Sequence, residues 1–532
     1  MTSQQRRNLS MLKVMVPCLL VLLAVSCKKS AKKTPDTGTP PETANGTRAE
    51  LTKDSIFLYA KQVYFWNDAL PTVEAFNPRG FTASGSELTN FNSELFAISQ
   101  YKINTTTGLP YEYTTTVGKP KYSYIQDRAT INPVAYMPGT ISAVDLEGNG
   151  NDLGIAVTGL YRDATNTTYD LYVRFVALNS PAWNAGIRRG QILSKLNGVA
   201  YGANFSAEVN AINSALAQTT LPLTRKVNGV ETNLTLTKAV YKSSPIFASR
   251  VIDTLGKKIG YIAYARFSSA ENSEAALTTV FSGFKTAGVT ALIIDLRYNG
   301  GGYVSTAQHL TDLIAPGTLT GSTMFSETYN STMQANNARI LANQPQLDDN
   351  DKVQYVNGRI RTYADADFSL AKHTYKFAKK GALENITNVA FIVTGNTASA
   401  SELVINNLKP HMNVKIFGAK SYGKPIGFFP IRIGNYNVYY SMFQTRNSAG
   451  EGDYFTGFTP DKTTFDDVTR DFGNSKESST LAAINYIATN TISSVSASKE
   501  SATVSASGAQ AITIEIPGEF KGAIENRIKQ KN

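Results

Sequence analysis

A serine hydroxyl is a poor nucleophile until a neighbouring group takes its proton. Ser399 stands in the run Asn396-Thr397-Ala398-Ser399-Ala400-Ser401-Glu402, with small residues on either side. Lys424 follows in Tyr422-Gly423-Lys424-Pro425. A lysine withdrawn from water has a lowered pKa and can serve as a general base near neutral pH. Such a pair would attack a carbonyl and pass the proton to the leaving group, which is acyl-transfer chemistry. The Ala400 N–H, at the start of a helix, suits a developing oxyanion. Glu402 is either a first-turn acid matched to the helix dipole or the group that orients Lys424. Ser401 reads as the helix N-cap. Taken singly, Ser399 is a turn serine and Lys424 a solvated lysine. Their pairing carries the argument.

Other chemistries have fewer residues to draw on. His309, His373 and His411 are the only histidines and lie too far apart to resemble a metal cluster. His309 falls inside a helix and His411 in a loop, neither flanked by the carboxylate that a serine–histidine site uses. The only cysteines are Cys18 and Cys27, and Cys18 lies in an apolar leader. That count excludes cysteine catalysis and thiolate metal sites. No metal or organic cofactor is implied.

Positioning the pair takes an α/β sheet, and from about 241 to 490 the apolar pattern alternates strand with helix. Strands are expected over 259–265, 291–296, 389–394 and 414–417, and helices over 272–287, 304–314 and 401–408. The run Ala291-Leu292-Ile293-Ile294-Asp295-Leu296 is nearly all apolar, as in a strand covered on both faces. Ser399 falls between a buried strand and a helix, and a strand–helix–strand excursion returns the chain to the same sheet edge for Lys424. Residues 316–385 are polar and interrupt the rhythm, so they are expected to form a surface excursion.

A third element agrees. Asp295-Leu296-Arg297-Tyr298-Asn299-Gly300-Gly301-Gly302 is a glycine turn after a strand. With the Ser-Ala-Ser-Glu run and the later Gly-Lys, it resembles the motifs of the carboxyl-terminal processing (tail-specific) peptidases, a family of serine–lysine proteases. The resemblance implies a crotonase/Clp-like α/β peptidase core without a cofactor. It implies Ser399 as nucleophile, Lys424 as base, and an oxyanion-hole N–H from Gly301 or Gly302 beside that of Ala400. Gly300 replaces the family's proline, and Phe428 replaces a glutamine that helps orient the lysine. Lys424 must then be steadied by something else, Glu402 or a backbone carbonyl.

Ahead of this domain, Ser180-Pro181-Ala182-Trp183-Asn184-Ala185-Gly186-Ile187-Arg188-Arg189-Gly190-Gln191-Ile192-Leu193 resembles a PDZ domain, with Gln191 at the usual Asp position and Leu196 at the usual Ile. That resemblance implies capture of a peptide end by strand addition, in a groove containing Leu153, Gly154 and Ile155. A β module that binds nothing is the alternative.

The chain has 532 residues, 42% hydrophobic and 17% charged, which suits a soluble multidomain protein. Its net charge of +11 comes from scattered basic residues without aromatic interleaving, which argues against nucleic-acid binding. Arg6, Arg7 and Lys13 precede a short apolar run ending in Leu23-Ala24-Val25-Ser26-Cys27. That resembles a bacterial lipoprotein signal with Cys27 as the lipidated residue. The expected order is a signal over 1–26, a tether over 27–50, a mostly helical N-terminal domain over 51–137, a PDZ-like domain over 138–240, a peptidase domain over 241–490, and a tail over 491–532. The leading expectation is an endopeptidase in a bacterial cell envelope, lipid-anchored at the outer membrane and facing the periplasm, that acts on peptides or unfolded proteins. A scaffold that binds peptides or apolar ligands without turnover is the second reading, motivated by the missing glutamine. A structural envelope protein is the third.

Overall fold

The computed structural model describes residues 45–129, 144–162, 167–348, 352–386, 388–492, 522–524 and 530. The expected signal, Cys27 and most of the tether lie outside the described residues. Among the described residues, no helix is long and apolar enough to cross a membrane.

The apolar strands Ala291–Asp295 and Asn388–Val393 lie side by side and parallel in the middle of a six-stranded sheet. The sheet runs in the order Ile246–Thr254, Lys257–Tyr264, Ala291–Asp295, Asn388–Val393, Asn413–Gly418 and Lys462–Thr463. Only its first pair is antiparallel. Side chains alternate between its two faces, as the period of a strand requires. Leu292, Ile294, Val389 and Phe391 enter one core with the helices Val304–Ile314 and Ala400–Leu408. Ile293, Ala390 and Ile392 enter a second core with the helix Ser478–Thr489. The helix Ala270–Ala287 ends at Gly288, whose φ of +74° is the left-handed cap that glycine adopts without steric cost. The α/β expectation is met, and each central strand and helix lies within two residues of its expected place.

The PDZ-like stretch forms an antiparallel sheet in the order Ile155–Tyr161, Tyr169–Val176, Ile192–Leu196, Thr220–Val227 and Val230–Thr237. Ser180 caps the short helix Pro181–Asn184 through its Oγ, which accepts from the Trp183 N–H at 3.2 Å. The apolar residues of this module are continuous with the second core of the central sheet.

The N-terminal helices Arg48–Val63 and Glu87–Ser99 place Phe57, Leu95 and Ile98 in the first core, together with Ile431 and Tyr440. The strand Tyr124–Asp127 then pairs antiparallel with Tyr436–Tyr439. Residues from the expected N-terminal unit therefore share a core and a sheet with the peptidase stretch.

Two expectations change. Residues 316–385 are not only a surface excursion: Thr323–Tyr329 lies inside a four-stranded sheet with Thr374–Lys376, Phe443–Asn447 and Ile426–Gly427. Phe325, Tyr329 and Met333 are buried there. The polar residues of this strand masked its core-forming side chains. In the 491–532 stretch, Gly522–Ile524 forms a strand parallel to Gly301–Tyr303.

Candidate active site

Loops at the carboxyl ends of three adjacent parallel strands meet, as open α/β sheets arrange their sites. They follow Ala291–Asp295, Asn388–Val393 and Asn413–Gly418. The first carries Gly301 and Gly302, the second Ser399, and the third Lys424.

The Ser399 loop is bolted to the glycine loop. Thr397 Oγ1 donates to the Leu296 carbonyl at 2.7 Å, and the Ala398 N–H donates to the Asn299 carbonyl at 3.1 Å. Ser401 Oγ donates to that same Asn299 carbonyl at 3.0 Å. The helix begins at Ala400, with Ser399 in the cap position, so Ser401 sits in the first turn and is not the N-cap. Ser399 is held at φ +59°, ψ −108°. A side-chain-bearing residue in such a sparsely populated region costs about 1–3 kcal/mol and persists only where its surroundings fix it. Its Oγ is buried and makes no hydrogen bond among the described residues, including to Lys424.

Glu402 joins the second loop to the third. Its Oε2 accepts the Ser399 N–H at 2.9 Å and the Lys424 N–H at 2.8 Å. Its Oε1 accepts the Gly423 N–H at 2.7 Å and the Ser421 hydroxyl at 2.5 Å. Burial pushes the Glu402 carboxyl pKa up, while these hydrogen bonds act in the opposite direction. Glu402 therefore fixes the backbone that carries Lys424.

Lys424 is 2% exposed, and its Nζ donates to the Tyr122 carbonyl at 3.4 Å. The same nitrogen stands 4.3 Å from the centre of the Phe428 ring and 5.7 Å from that of Tyr122. Where the family has glutamine, this chain thus offers an aromatic face, which attracts an ammonium through its quadrupole. Tyr122 OH and Lys121 Nζ both donate to the Gly423 carbonyl, at 2.6 Å and 3.2 Å. Gly423 has φ +82°, and a Cβ there would lie 2.3 Å from the Gly457 nitrogen. Only glycine fits this turn. Tyr122 and Lys121 escaped the sequence reading because they lie some three hundred positions from Lys424 and belong to no motif.

In the glycine loop, the Asn299 Oδ1 accepts the Gly301 N–H at 2.9 Å. The Gly301 carbonyl and the Tyr303 N–H both face Phe267, each at 2.9 Å. Strand alternation turns the Gly302 N–H to the opposite side, along which Gly522–Ile524 runs. A Cβ on Gly301 would lie 3.1 Å from the Ala400 nitrogen, so the loop abuts the helix start. Ala400 occupies the first helical position, where the N–H has no helical carbonyl to meet.

Beneath this loop, the fully buried Arg297 pairs with Asp295 at 2.8 Å, Asp466 at 2.7 Å and Glu477 at 3.0 Å. Arg189, from the PDZ-like module, joins Asp466 at 2.6 Å and donates to Tyr298 OH at 2.8 Å. For Asp466, burial would raise the pKa, but Arg189 and Arg297 more than reverse it and hold the carboxyl well below its usual range. Glu477 is lowered likewise, burial being outweighed by Arg297.

Ser399, Ala400, Glu402, Lys424, Gly301 and Gly302 are thus brought together. Leu153, Gly154 and Ile155 lie apart, in the PDZ-like module, where Leu153 and Ile155 are buried. The Gly154 N–H donates to Asp152 Oδ1 at 2.7 Å, and a Cβ on Gly154 would lie 1.9 Å from that of Ser180. The histidines sit elsewhere, His309 by Glu274 at 3.4 Å, His373 by Glu327 at 2.8 Å and His411 by Ser448 at 2.8 Å. Among the described residues, no three His, Cys, Asp or Glu side chains converge as metal ligands.

Residues 258–464 match the model of Peptidase family S41. A curated relative, the chloroplastic C-terminal processing peptidase of Tetradesmus obliquus, is 23% identical over 300 residues. That alignment covers 54% of this chain and 54% of the relative, so the chain spans about half the length of the curated relative it matches. Among solved structures, a protein assigned to the S41 proteases from Bacteroides fragilis aligns over 85% of this chain and 99% of its own, at 20% identity and a TM-score of 0.53. The photosystem II D1 C-terminal processing protease aligns over 79% of this chain and 94% of its own, at 15% identity and a TM-score of 0.42. Residues 258–464 are thus similar to peptidase family S41.

Proposed function

We propose that this protein is a serine endopeptidase in which Ser399 is the nucleophile and Lys424 the general base. The observation that carries this reading is the shared grip of one Glu402 oxygen on the Ser399 and Lys424 backbones, at 2.9 Å and 2.8 Å. Ser399 Oγ adds to the peptide carbonyl while its proton passes to the Lys424 amine. The N–H groups of Ala400 and Gly302 stabilise the oxyanion. Gly302 is preferred because its N–H faces the strand position that Gly522–Ile524 fills, whereas that of Gly301 is turned to the Asn299 side chain. The tetrahedral adduct collapses, the C–N bond breaks, and Lys424 returns the proton to the leaving amine. Water then adds to the acyl ester, again giving its proton to Lys424, and the ester C–O bond breaks as Ser399 regains a proton. The PDZ-like module receives peptide ends, and a lipid on Cys27 holds the protein at the envelope, with unfolded proteins as substrates.

Replacing Ser399 by Ala should abolish cleavage of fluorescein-labelled β-casein and leave the melting curve unchanged. An alanine variant as active as the parent would refute the assignment. A reading as a binder without turnover draws support from the ring of Phe428 in the glutamine's place and from the absence of a Ser399–Lys424 hydrogen bond. Saturable binding of β-casein with no cleavage over long incubation would favour that reading.

A further inference from the structure

The short strand Gly522–Ile524 belongs to a stretch with no assigned role, yet it runs beside the proposed oxyanion loop. It pairs parallel with Gly301–Tyr303, and the Gly522 N–H donates to the Gly300 carbonyl at 3.1 Å. On its other side, Ile524 bridges to Phe428, the residue whose ring faces the Lys424 amine. Farther along, Gln530 bridges to Ala366 and its Nε2 donates to Gln346 Oε1 at 2.9 Å. A Cβ placed on Gly301 would stand 2.5 Å from the Gly522 oxygen and 3.1 Å from the Ala400 nitrogen. One point of space is therefore flanked by the segment's carbonyl and by a proposed oxyanion donor.

An added strand makes main-chain hydrogen bonds whatever its sequence, and side-chain pockets supply preference. Here Gly522 is buried against glycines, and Ile524 packs on the first hydrophobic core. We infer that Gly522–Ile524 occupies the peptide-binding strand position of the site as an intramolecular pseudosubstrate. The position accordingly takes an extended peptide with a small residue beside Gly301 and a branched aliphatic residue two places on. The inference rests on the reading of this site as a peptidase, since it treats the groove as the substrate's. A tethered occupant holds the groove against added peptide by being always at hand.

The test removes the occupant and supplies it separately. A Ser399→Ala chain shortened to lack residues 517–532 is mixed with a fluorescent peptide of residues 519–528, and anisotropy is read. The shortened protein should bind the peptide saturably, at least about ten-fold more tightly than the full-length Ser399→Ala chain. The same peptide with Ile524→Asp should bind at least about ten-fold more weakly. With Ser399 intact, full-length Ile524→Asp should cleave labelled β-casein faster than the parent. Equal peptide binding by the shortened and full-length chains, or none by either, would overturn the proposal. Should the shortened chain fail to fold, full-length Ser399→Ala with and without Ile524→Asp is compared, and equal binding overturns it. The binding experiment needs no turnover, so it separates failure of the pseudosubstrate from failure of the Ser399–Lys424 assignment.

Discussion

The carboxylate of Glu402 is buried and satisfied by hydrogen-bond donors, two of them the N–H groups of Ser399 and Lys424. In the proposed mechanism it is a positioning residue, acting through the two backbones it holds. Glu402→Gln would turn an amide NH2 toward N–H donors and splay the loops. A misplacement of about 1 Å costs roughly 10²-fold, so kcat/KM on labelled β-casein should fall by about that factor. Because burial raises the Glu402 pKa, its protonation begins above the ordinary glutamate value of about 4.3 as pH falls. Activity should fall more steeply through that window in the parent, and this added steepness should be missing from Glu402→Gln. For stability the sign is opposite: a raised folded pKa favours the fold at low pH, and that contribution is lost as pH rises through it. Phe428→Leu removes the ring face that would stabilise the Lys424 ammonium as it forms in the proposed step, a contact worth about 0.5–2 kcal/mol. It should lower kcat/KM on β-casein about ten-fold, and Tyr439→Leu, which loses a ring packed on Phe428, should lower it less. Ser399, Lys424 and Glu402 were legible as candidates because residue type and spacing suggest a chemistry for them. Tyr122 was not, since only folding brings its carbonyl to Lys424.

The turn from the strand Asn388–Val393 into the helix Ala400–Leu408 stores strain in one residue. Ser399→Gly would relieve its positive φ, while glycine's greater freedom in the unfolded chain offsets part of the gain. The variant should gain about 1 kcal/mol in a urea titration and lose β-casein cleavage, and a loss of stability would show that the turn is not strained. The central strands were readable because continuous apolar runs demand two covered faces, and the helices because their apolar residues recur on one side. The short strands Ile426–Gly427, Gly301–Tyr303 and Gly522–Ile524 were not. Two or three residues carry no period, and their pairing is set by contacts distant in sequence. The same limit hid the buried strand Thr323–Tyr329, whose serine, threonines and glutamate read as surface.

Across the whole molecule, the Arg189–Asp466–Arg297–Glu477 cluster ties the PDZ-like module to the floor of the glycine loop. Asp466 and Glu477 both have lowered pKa values in the fold. Their contribution is therefore complete above the unfolded values of about 4 and is lost as pH falls below them. The urea midpoint should drop steeply in that range. Asp466→Asn should cost about 3–5 kcal/mol at neutral pH, by leaving two buried guanidinium groups short of a partner, and should flatten the acid dependence. Through Tyr298, which Arg189 touches, the same cluster reaches the loop that bears Gly301 and Gly302. The proposed mechanism turns on the reactivity of one hydroxyl. A fluorophosphonate probe transfers its phosphonyl group to an activated serine with loss of fluoride, and peptide mass spectrometry locates the adduct. Ser399 should carry the label in the parent and lose it in Lys424→Ala; an unlabelled Ser399, or labelling indifferent to Lys424, would contradict the proposed dyad.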